Sequence, residues 1–351
     1  MAYPNSEYKW MTINLCLFGA GRIGQIHAAN IARHRQAKLK YIVDVDPAAA
    51  ARLAASLGAS AGDAQAALAD DDVHGVVIAT STDTHLSLIE AAASAGKAVF
   101  CEKPLDLDEA NARKCISLAA DAGIPLFVGF NRRYDPSFRR LKDDIAAGRI
   151  GKVEVISITS RDPSPPPEDY IRRSGGMFRD MTIHDLDMAR WLLGEEPSSV
   201  FASGSCLVDP KIAEAGDVDT AVVVLETLNG AFCQITNSRR CSYGYDQRIE
   251  VFGATGLLRA DNETATRVEH ASSAGFRREP ALPFFLERYR QAYQLEMDDF
   301  IRALEGGQHS LADGEDGLRA LLLADAAERS RTTLQAVAPG RWNVDSISSA
   351  D

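Results

Sequence analysis

The sequence lacks the features that mark membrane proteins, secreted proteins and nucleic-acid-binding proteins. No run approaches the roughly 20 apolar residues that a membrane-spanning helix needs, and the first ten residues, MAYPNSEYKW, hold no apolar core of a secretory signal. Positive charge is in deficit, because 38 Lys and Arg stand against 49 Asp and Glu, for a net charge of -11. Since no basic stretch offsets this balance locally, the composition argues against nucleic-acid and membrane partners.

Cys-x-x-Cys pairs are also missing, although the chain has six cysteines. Most of them lie in apolar runs that are typical of strands or helices. We therefore expect buried free thiols in a cytoplasmic protein, and the sequence predicts no metal site. The cysteines are Cys16, Cys101, Cys115, Cys206, Cys233 and Cys241.

The first half of the chain alternates apolar strands with helix-like segments. At 351 residues the chain is long enough for two domains. Strands that alternate with helices of about 10–15 residues indicate a parallel sheet with right-handed crossovers. The strands are predicted at 12–18, 39–43, 73–79, 98–102 and 125–129, and the helices at 21–34, from Pro47, at 83–95 and at 109–122.

After residue 150 the pattern changes to β-branched segments that follow one another with little helix between them. This order predicts an antiparallel or mixed sheet. Asn229-Gly230 lies between two of the segments and predicts a hairpin with a type I′ turn, in which both central residues have positive φ. Two helices, near 286–305 and 313–335, are predicted to follow the strands.

These patterns divide the chain into two predicted domains. The first spans 11–132 and the second, an α+β domain, spans 133–336, with tails at 1–10 and 337–351. The proline-rich segment DPSPPPE at 162–168 favours an extended loop. That loop is either a surface connector or a wall of a substrate cleft.

The stretch LCLFGAGRIG ends an apolar strand with three glycines in a G-x-G-x-x-G pattern. In a dinucleotide-binding turn the first glycine allows the tight turn, the second admits the pyrophosphate, and the third lets the helix pack on the strand. The helix N-terminus then offers unpaired N–H groups to the phosphates. An ordinary βα turn is the alternative, but the strand before and the helix after favour the dinucleotide. The predicted contacts are Gly19, Gly21, Arg22, Ile23 and Gly24.

Asp44 stands at the end of the second predicted strand, 20 residues beyond Gly24. A carboxylate at this position can accept hydrogen bonds from the adenosine ribose, and it repels a 2′-phosphate. No arginine follows it in VDVDP to bind such a phosphate. The predicted cofactor is therefore NAD rather than NADP.

The segment FCEKP places Lys103 at the C-terminal end of a predicted sheet strand. Open α/β sheets bind their ligands at that edge. Pro104 restricts the backbone of Lys103 to extended angles, which fixes the direction of the side chain. A lysine beside a nicotinamide can support a developing alkoxide, whereas a surface lysine at the start of a loop is the alternative.

The sequence resembles the glucose–fructose oxidoreductase/inositol dehydrogenase family over nearly its whole length. The resemblance rests on the glycine motif, on Glu-Lys-Pro after the fourth strand, and on Asp-x-x-x-His in the second half. It is supported by GFNRRYDPSF, SRDPSPPPEDY, SGGMFRDMTIHDLDMARWLLGEEP and YGYDQRIEVFG. The likeness is strongest to the inositol-oxidising members. It implies a Rossmann doubly wound parallel sheet followed by an open mixed β-sheet domain with flanking helices, and a cytoplasmic homotetramer.

The resemblance also implies the reaction and the residues that perform it. The reaction is NAD-dependent oxidation of a cyclitol hydroxyl, with myo-inositol giving its 2-keto product, and the partner is this small polyol. The implied catalytic residues are Lys103, Asp180 and His184. The implied substrate contacts are Arg132, Asp162, Asp187 and Tyr243, and further cofactor contacts are Thr80, Ser81, His85 and Glu102.

The residues around His184 agree with a catalytic role. Thr182 and Asp185 fit a capping box, which predicts a helix that begins at Thr182 and ends at Gly194. His184 would then lie in the first turn, where the helix dipole disfavours an imidazolium. A neutral imidazole is what a general base requires, and Asp180 could orient it. The alternative is a surface helix whose polar face holds a histidine.

Two alternatives to myo-inositol oxidation remain open at this point. Some inositol dehydrogenases carry His and Asn on the first strand of the second domain, where this chain has Ser160 and Asp162. The substrate could therefore be scyllo-inositol, chiro-inositol or an aldopyranose, oxidised with NAD or NADP. A non-catalytic NAD-binding sensor would be expected to have lost Lys103 or His184, and both are present.

Overall fold

The computed structural model describes residues 12–340. The predicted tail at 1–10 and residues 341–351 of the other tail lie outside the described residues. Within the described residues the chain forms two compact units. The first runs to Asn131 and adds Tyr293–Gly317, and the second contains Arg132–Ala292 and the residues from Leu318 onward.

The first unit is built on a seven-stranded sheet with buried central strands. Its strand order is β15-β6-β5-β4-β1-β2-β3, parallel except for the short edge strand β15. This is the doubly wound order of a Rossmann sheet, which confirms the predicted fold class. The strands are β1 Ile13–Phe18, β2 Ala37–Val43, β3 Ser60–Ala61, β4 Gly75–Ile78, β5 Ala98–Glu102, β6 Leu126–Gly129 and β15 Ala312–Asp313.

Aspartates and glycines set the ends of several helices in this unit. Asp46 and Asp108 accept hydrogen bonds from backbone N–H groups of the first helical turns, and Gly58 and Gly123 end those two helices in the left-handed conformation. The helices are α1 Arg22–Arg33, α2 Pro47–Leu57, α3 Ala64–Ala69, α4 His85–Ser94, α5 Glu109–Ala122 and α11 Arg290–Leu304.

Helix α11 from Tyr293 onward and strand β15 belong to the first unit, although the predicted boundaries assign them to the second domain. The aromatic ring of Phe300 packs against Phe100, at 5.5 Å between centroids, and against Phe127, at 6.1 Å. Strand β15 pairs with the edge strand β6. The chain thus returns to cover the first sheet before α12 (Gly314–Thr333) begins.

The second unit is built on a six-stranded mixed sheet, as the sequence predicts. Its order is β12-β11-β7-β10-β9-β8, and only the β7–β10 pair is parallel. The strands are β7 Val153–Arg161, β8 Pro197–Ser205, β9 Thr220–Thr227, β10 Phe232–Ser238, β11 Asp246–Gly253 and β12 Gly256–Ala260, with a separate hairpin of β13 Glu269–Ser272 and β14 Gly275–Arg278. Its remaining helices are α6 Pro136–Ala146, α7 Glu168–Ile171, α8 Ile183–Leu193, α9 Pro210–Glu214 and α10 Phe285–Arg288.

The predicted hairpin forms between β9 and β10, but its turn type is different. Only Gly230 has positive φ (79°), whereas a type I′ turn needs positive φ at Asn229 as well. The backbone N–H of Gly230 donates to the Thr227 carbonyl, and the N–H of Thr227 donates to the Ala231 carbonyl. The loop is therefore longer than two residues and closes with a left-handed glycine.

Candidate active site

The glycine turn after β1 has no room for side chains at two of its three glycines. Gly19 has a φ of +99°, and a Cβ there would lie 2.5 Å from the Ala79 carbonyl oxygen. A Cβ on Gly24 would lie 1.9 Å from the Gly19 carbonyl oxygen. These two glycines are therefore required by the protein's own packing.

Gly21 differs, because a Cβ there would meet no described atom within 4 Å. Its φ of -70° is open to any residue, so the protein itself does not require a glycine. Gly21 precedes α1, whose first turn receives no side-chain cap hydrogen bond. An open backbone at the start of a helix fits a pyrophosphate, with exposed Arg22 and half-buried Ile23 beside it.

The Asp44 carboxylate is fixed at the end of β2 by two backbone N–H groups. Oδ2 accepts from Ala20 at 2.6 Å, and Oδ1 accepts from Asp46 at 2.8 Å. The first bond ties Asp44 to the glycine turn. The half-buried carboxylate retains lone pairs for ribose hydroxyls, so these residues fit NAD, as predicted.

Thr80, Ser81 and His85 follow β4, the neighbouring strand. The Thr80 hydroxyl lies 2.7 Å from that of Thr84, and Ser81 is exposed. The His85 ring is buried, with Nδ1 at 3.0 Å from the Pro104 carbonyl and Nε2 at 3.4 Å from the Thr80 carbonyl. Burial lowers the pKa of His85. His85 thus links two loops at the carboxyl edge of the sheet.

Glu102 and Lys103 occupy the end of β5. The Glu102 carboxylate is buried, and its Oε1 lies 2.7 Å from Nε2 of His27 on α1. Lys103 is half-buried and precedes buried Pro104. Buried Glu102 and Pro104 therefore fix the backbone on either side of Lys103.

In the second unit, Asp180 and His184 lie in one continuous helical segment. A π-helical turn, Phe178–Thr182, leads directly into α8. The Asp180 carboxylate accepts a hydrogen bond from the Tyr170 hydroxyl at 2.7 Å and two from Arg239 at 3.2 and 3.3 Å. His184 is half-buried, four residues after Asp180.

The predicted capping box is wrong, although Gly194 does end the helix, with a φ of 71°. Thr182 has helical angles, and its hydroxyl donates to the Asn237 side chain at 2.8 Å instead of accepting from the backbone. Asp185 accepts from Arg132 at 2.5 Å and from Asn237 at 2.7 Å. Since helical backbone precedes Thr182, His184 does not lie at the start of a helix.

The four predicted substrate contacts fall into two groups by exposure. Arg132 and Asp187 are buried in ion pairs. Arg132 pairs with Asp185, and Asp187 accepts hydrogen bonds from Nη2 and Nε of Arg133, at 2.5 and 2.9 Å. Asp162 is half-buried and follows β7. Burial raises the pKa of Asp162 to about 6, even though the charge of Arg239 opposes the shift.

Tyr243 is the most accessible of the four, at 44% exposed. Its hydroxyl donates to Asp246 at 2.6 Å and accepts from Arg161 at 2.6 Å. The adjacent Gly244 has a φ of 111°, and a Cβ there would lie 2.3 Å from the Ala281 carbonyl oxygen. This glycine fixes the loop that carries Tyr243.

Tyr170, Arg239 and Asn237 are polar residues of this region to which the motifs assign no role, and Asp185 was predicted only as a capping-box residue. Asp185 could have been found from its apolar neighbours, because a carboxylate at a buried helical position needs a cationic partner. Asn237 lies in β10 and Arg239 directly follows that strand. Alternate residues of a strand lie on the same face of the sheet, so these two residues fall on one face. Their partners come from segments more than 50 residues away, and sequence spacing does not reveal these.

No group of three or more His, Cys, Asp or Glu side chains that could hold a metal is found among residues 12–340. In the same part of the chain, no helix is both long and apolar enough to cross a membrane.

Family comparisons cover both units. Residues 13–130 match the oxidoreductase family with an NAD-binding Rossmann fold, and residues 138–259 match the GFO/IDH/MocA C-terminal domain. Together the two matches span more than half of the chain.

Individual relatives are similar over nearly the full length. The inositol 2-dehydrogenase of Rhizobium meliloti is 51% identical over 320 residues, covering 91% of this chain and 97% of that protein. The myo-inositol 2-dehydrogenase of Thermotoga maritima is 49% identical over 316 residues, covering 90% and 95%. The crystal structure of scyllo-inositol dehydrogenase from Lactobacillus casei, with bound NAD(H) and scyllo-inositol, has a TM-score of 0.87 at 30% identity and covers 94% of this chain and 100% of that one. The family predicted from the motifs is confirmed, and the chain belongs to the GFO/IDH/MocA oxidoreductases.

Proposed function

We propose that this protein is an NAD-dependent inositol 2-dehydrogenase that oxidises myo-inositol to its 2-keto product. The observation that carries the proposal is the likeness, over nine-tenths of the chain, to relatives of that name. The open Gly21, the fixed Asp44 and the Asp180–His184 segment provide the parts that such a reaction needs. When bound, NAD supplies the acceptor for the hydride that leaves the substrate carbon.

We assign the catalytic roles to Lys103, Asp180 and His184. His184 accepts the hydroxyl proton as general base, and Asp180 orients the imidazole and stabilises its protonated form. Lys103 supports the alkoxide that develops as the hydride leaves. These roles are supported by the family motifs and by the fixed backbone around each residue.

The first unit is proposed to bind NAD and the second to bind the polyol. Gly19, Gly21, Gly24 and the α1 N-terminus would hold the pyrophosphate, and Asp44 would hold the ribose. Exposure supports direct polyol contacts for Tyr243 and Asp162. We propose that buried Arg132 and Asp187 instead stabilise this part of the second unit through their ion pairs.

The test is a substrate screen with the purified protein and NAD, followed by NADH absorbance. Turnover should be highest with myo-inositol among myo-, scyllo- and chiro-inositol, glucose and galactose. A preference for an aldopyranose would replace the proposed substrate, and binding of NADH without turnover of any polyol would indicate a sensor. NADH should also bind more tightly than NADPH, and the reverse order would contradict the role of Asp44.

We further propose that the protein forms a tetramer through the open face of its second sheet. Phe252, Val155 and Phe232 are 46%, 37% and 42% exposed, and they are register neighbours across β11, β7 and β10. A contiguous apolar row of this kind is typical of a protein interface. Light scattering after size-exclusion chromatography should give four times the chain mass, and Phe252→Glu should reduce it.

The cellular setting is proposed to be the cytoplasm, with a role in inositol catabolism. Support comes from the thiols, since all six cysteines are free and five are buried. Burial raises the pKa of Cys16 and Cys115 to about 12, which keeps these thiols protonated and unreactive. Fractionation of the source cells tests the location.

A further inference from the structure

Both oxygens of the Asp180 carboxylate are held by side chains outside the assigned catalytic set. Tyr170 donates its hydroxyl to Oδ1 at 2.7 Å. Arg239 donates from Nη1 and Nη2 to Oδ2, at 3.3 and 3.2 Å. The Arg239 side chain is only 1% exposed, and that of Asp180 is 12% exposed. A buried charge-assisted contact of this kind restricts the orientation of a carboxylate.

Two further carboxylates, those of Asp217 and Asp162, interact with the charge of Arg239. Its Nη2 lies 3.9 Å from Oδ2 of Asp217, and its backbone N–H donates to the Asp219 carbonyl at 2.8 Å. Asp162 interacts with its charge as well. One buried cation thus faces three carboxylates, and its removal would leave them to repel one another.

Tyr170 connects this cluster to the proline-rich segment 162–168. It lies on the short helix α7, directly after that segment, and is 45% exposed. Its hydrogen bond therefore ties the proline-rich loop to Asp180. This geometry favours the second sequence interpretation of the loop, as part of the active-site wall.

We propose that Arg239 is a positioning residue for the oxidation, which fixes the Asp180 carboxylate from one side while Tyr170 fixes it from the other. The proposal rests on the proposed function, because Asp180 must act on His184 for its orientation to matter. Neither Arg239 nor Tyr170 has to touch the polyol or the cofactor. Their effect passes through Asp180.

The test compares Arg239→Gln, Arg239→Lys and Tyr170→Phe with the parent protein, using myo-inositol and NAD. Arg239→Gln should lower kcat by roughly 10²-fold through misplacement of Asp180, while the KM for NAD stays within about twofold of that of the parent protein. Arg239→Lys should restore part of kcat because it keeps the charge. Arg172→Gln is the matched control, since Arg172 is 52% exposed and pairs only with exposed Glu168 among the contacts described.

The pH profile separates positioning from a structural role. The titratable and charged groups around Asp180 include Tyr170, His184, Arg239 and Asp162, with Asp217 behind Arg239. Removing the cation favours the protonated forms of its neighbours, so the acidic limb of kcat in Arg239→Gln should move to higher pH by about one unit. Arg239→Lys should leave this limb in place.

These measurements distinguish a failure of the proposed function from a failure of the positioning role of Arg239. If the parent protein does not oxidise myo-inositol, the proposed function fails. If it does, but Arg239→Gln keeps its kcat or loses it equally at every pH, the positioning role is overturned. Should Arg239→Gln fail to fold by circular dichroism, Tyr170→Phe decides: a lowered kcat with a shifted acidic limb supports the proposal, and an unchanged profile overturns it.

Discussion

Nε2 of His27 lies 2.7 Å from Oε1 of Glu102, and both side chains are buried. The contact joins the helix that starts at the glycine turn to the strand that ends at Glu102, directly before Lys103. Gly129 lies against the same carboxylate. A Cβ on this glycine would lie 3.3 Å from both carboxylate oxygens. The two halves of the proposed cofactor site in the first unit are thus connected by one buried polar pair.

We expect His27→Leu to destabilise the protein, because it leaves the Glu102 carboxylate buried without this partner. The free energy of unfolding should fall by about 2–3 kcal/mol, measured by urea denaturation with circular dichroism. His34→Leu is the control, since His34 is half-buried and lies 3.9 Å from Asp298. An equal loss in the two variants would contradict a special role for the buried pair.

Alanine substitutions at Gly21 and Gly24 should have different effects. Gly24→Ala should lower stability, whereas Gly21→Ala should weaken NADH binding at unchanged stability. Gly24→Ala places a Cβ 1.9 Å from a carbonyl oxygen, so the turn must distort and stability should fall by more than about 2 kcal/mol. Gly21→Ala meets open space and should unfold at the same urea concentration as the parent protein. Because the added methyl would occupy the pyrophosphate position, its Kd for NADH, measured by fluorescence, should rise at least about tenfold. Unchanged NADH binding in Gly21→Ala would remove the pyrophosphate from this turn.

The sequence predicts elements well where local signals agree with the tertiary fold. Strand 98–102 and helix 109–122 have the observed bounds, since buried apolar residues, an N-cap aspartate and a C-terminal glycine coincide there. Helix α6 was not predicted, although Asp135 caps it and Pro136 begins it.

The errors at the site have a different origin, because they depend on partners distant in sequence. Thr182 and Asp185 have the spacing of a capping box, but Asn237 and Arg132 provide stronger partners for them. The Asp180 carboxylate is likewise held by hydrogen bonds from Arg239, which is 59 residues away in the sequence. Motif spacing identifies the side chains that we propose as catalytic, whereas the partners that hold them come from segments distant in sequence.

Replacing the proposed general base should lower kcat strongly and leave the affinity for NADH nearly unchanged. We expect His184→Ala to lower kcat at least about 10²-fold, the lower end of the range for general-base loss. The Kd for NADH should stay within about twofold, because the glycine turn and Asp44 belong to the other unit. Steady-state kinetics with saturating NAD and myo-inositol measure kcat. Near-normal turnover would reject His184 as the base.

The Asp162 carboxyl should make stability depend on pH in a defined direction. Burial raises its pKa to about 6 in the folded protein, against about 3.9 in an unfolded chain. The folded state therefore binds the proton more tightly, so the favourable contribution is complete below about pH 4 and is lost as pH rises through about 6. Asp162→Asn, which cannot ionise, should escape this loss.

The variant should therefore be more stable than the parent protein at pH 8 and similar to it at about pH 3.5, below the unfolded-state pKa. Two pKa units correspond to about 3 kcal/mol, and partial exposure reduces the expected gain to about 1–2 kcal/mol. Urea denaturation at the two pH values measures the difference, with Asp169→Asn on the short helix α7 as an exposed control. The same variant should bind myo-inositol more weakly, because an amide cannot accept hydrogen bonds from adjacent hydroxyls through both of its end groups. A gain in stability that is equal at the two pH values would show that the Asp162 carboxyl is not the group that titrates.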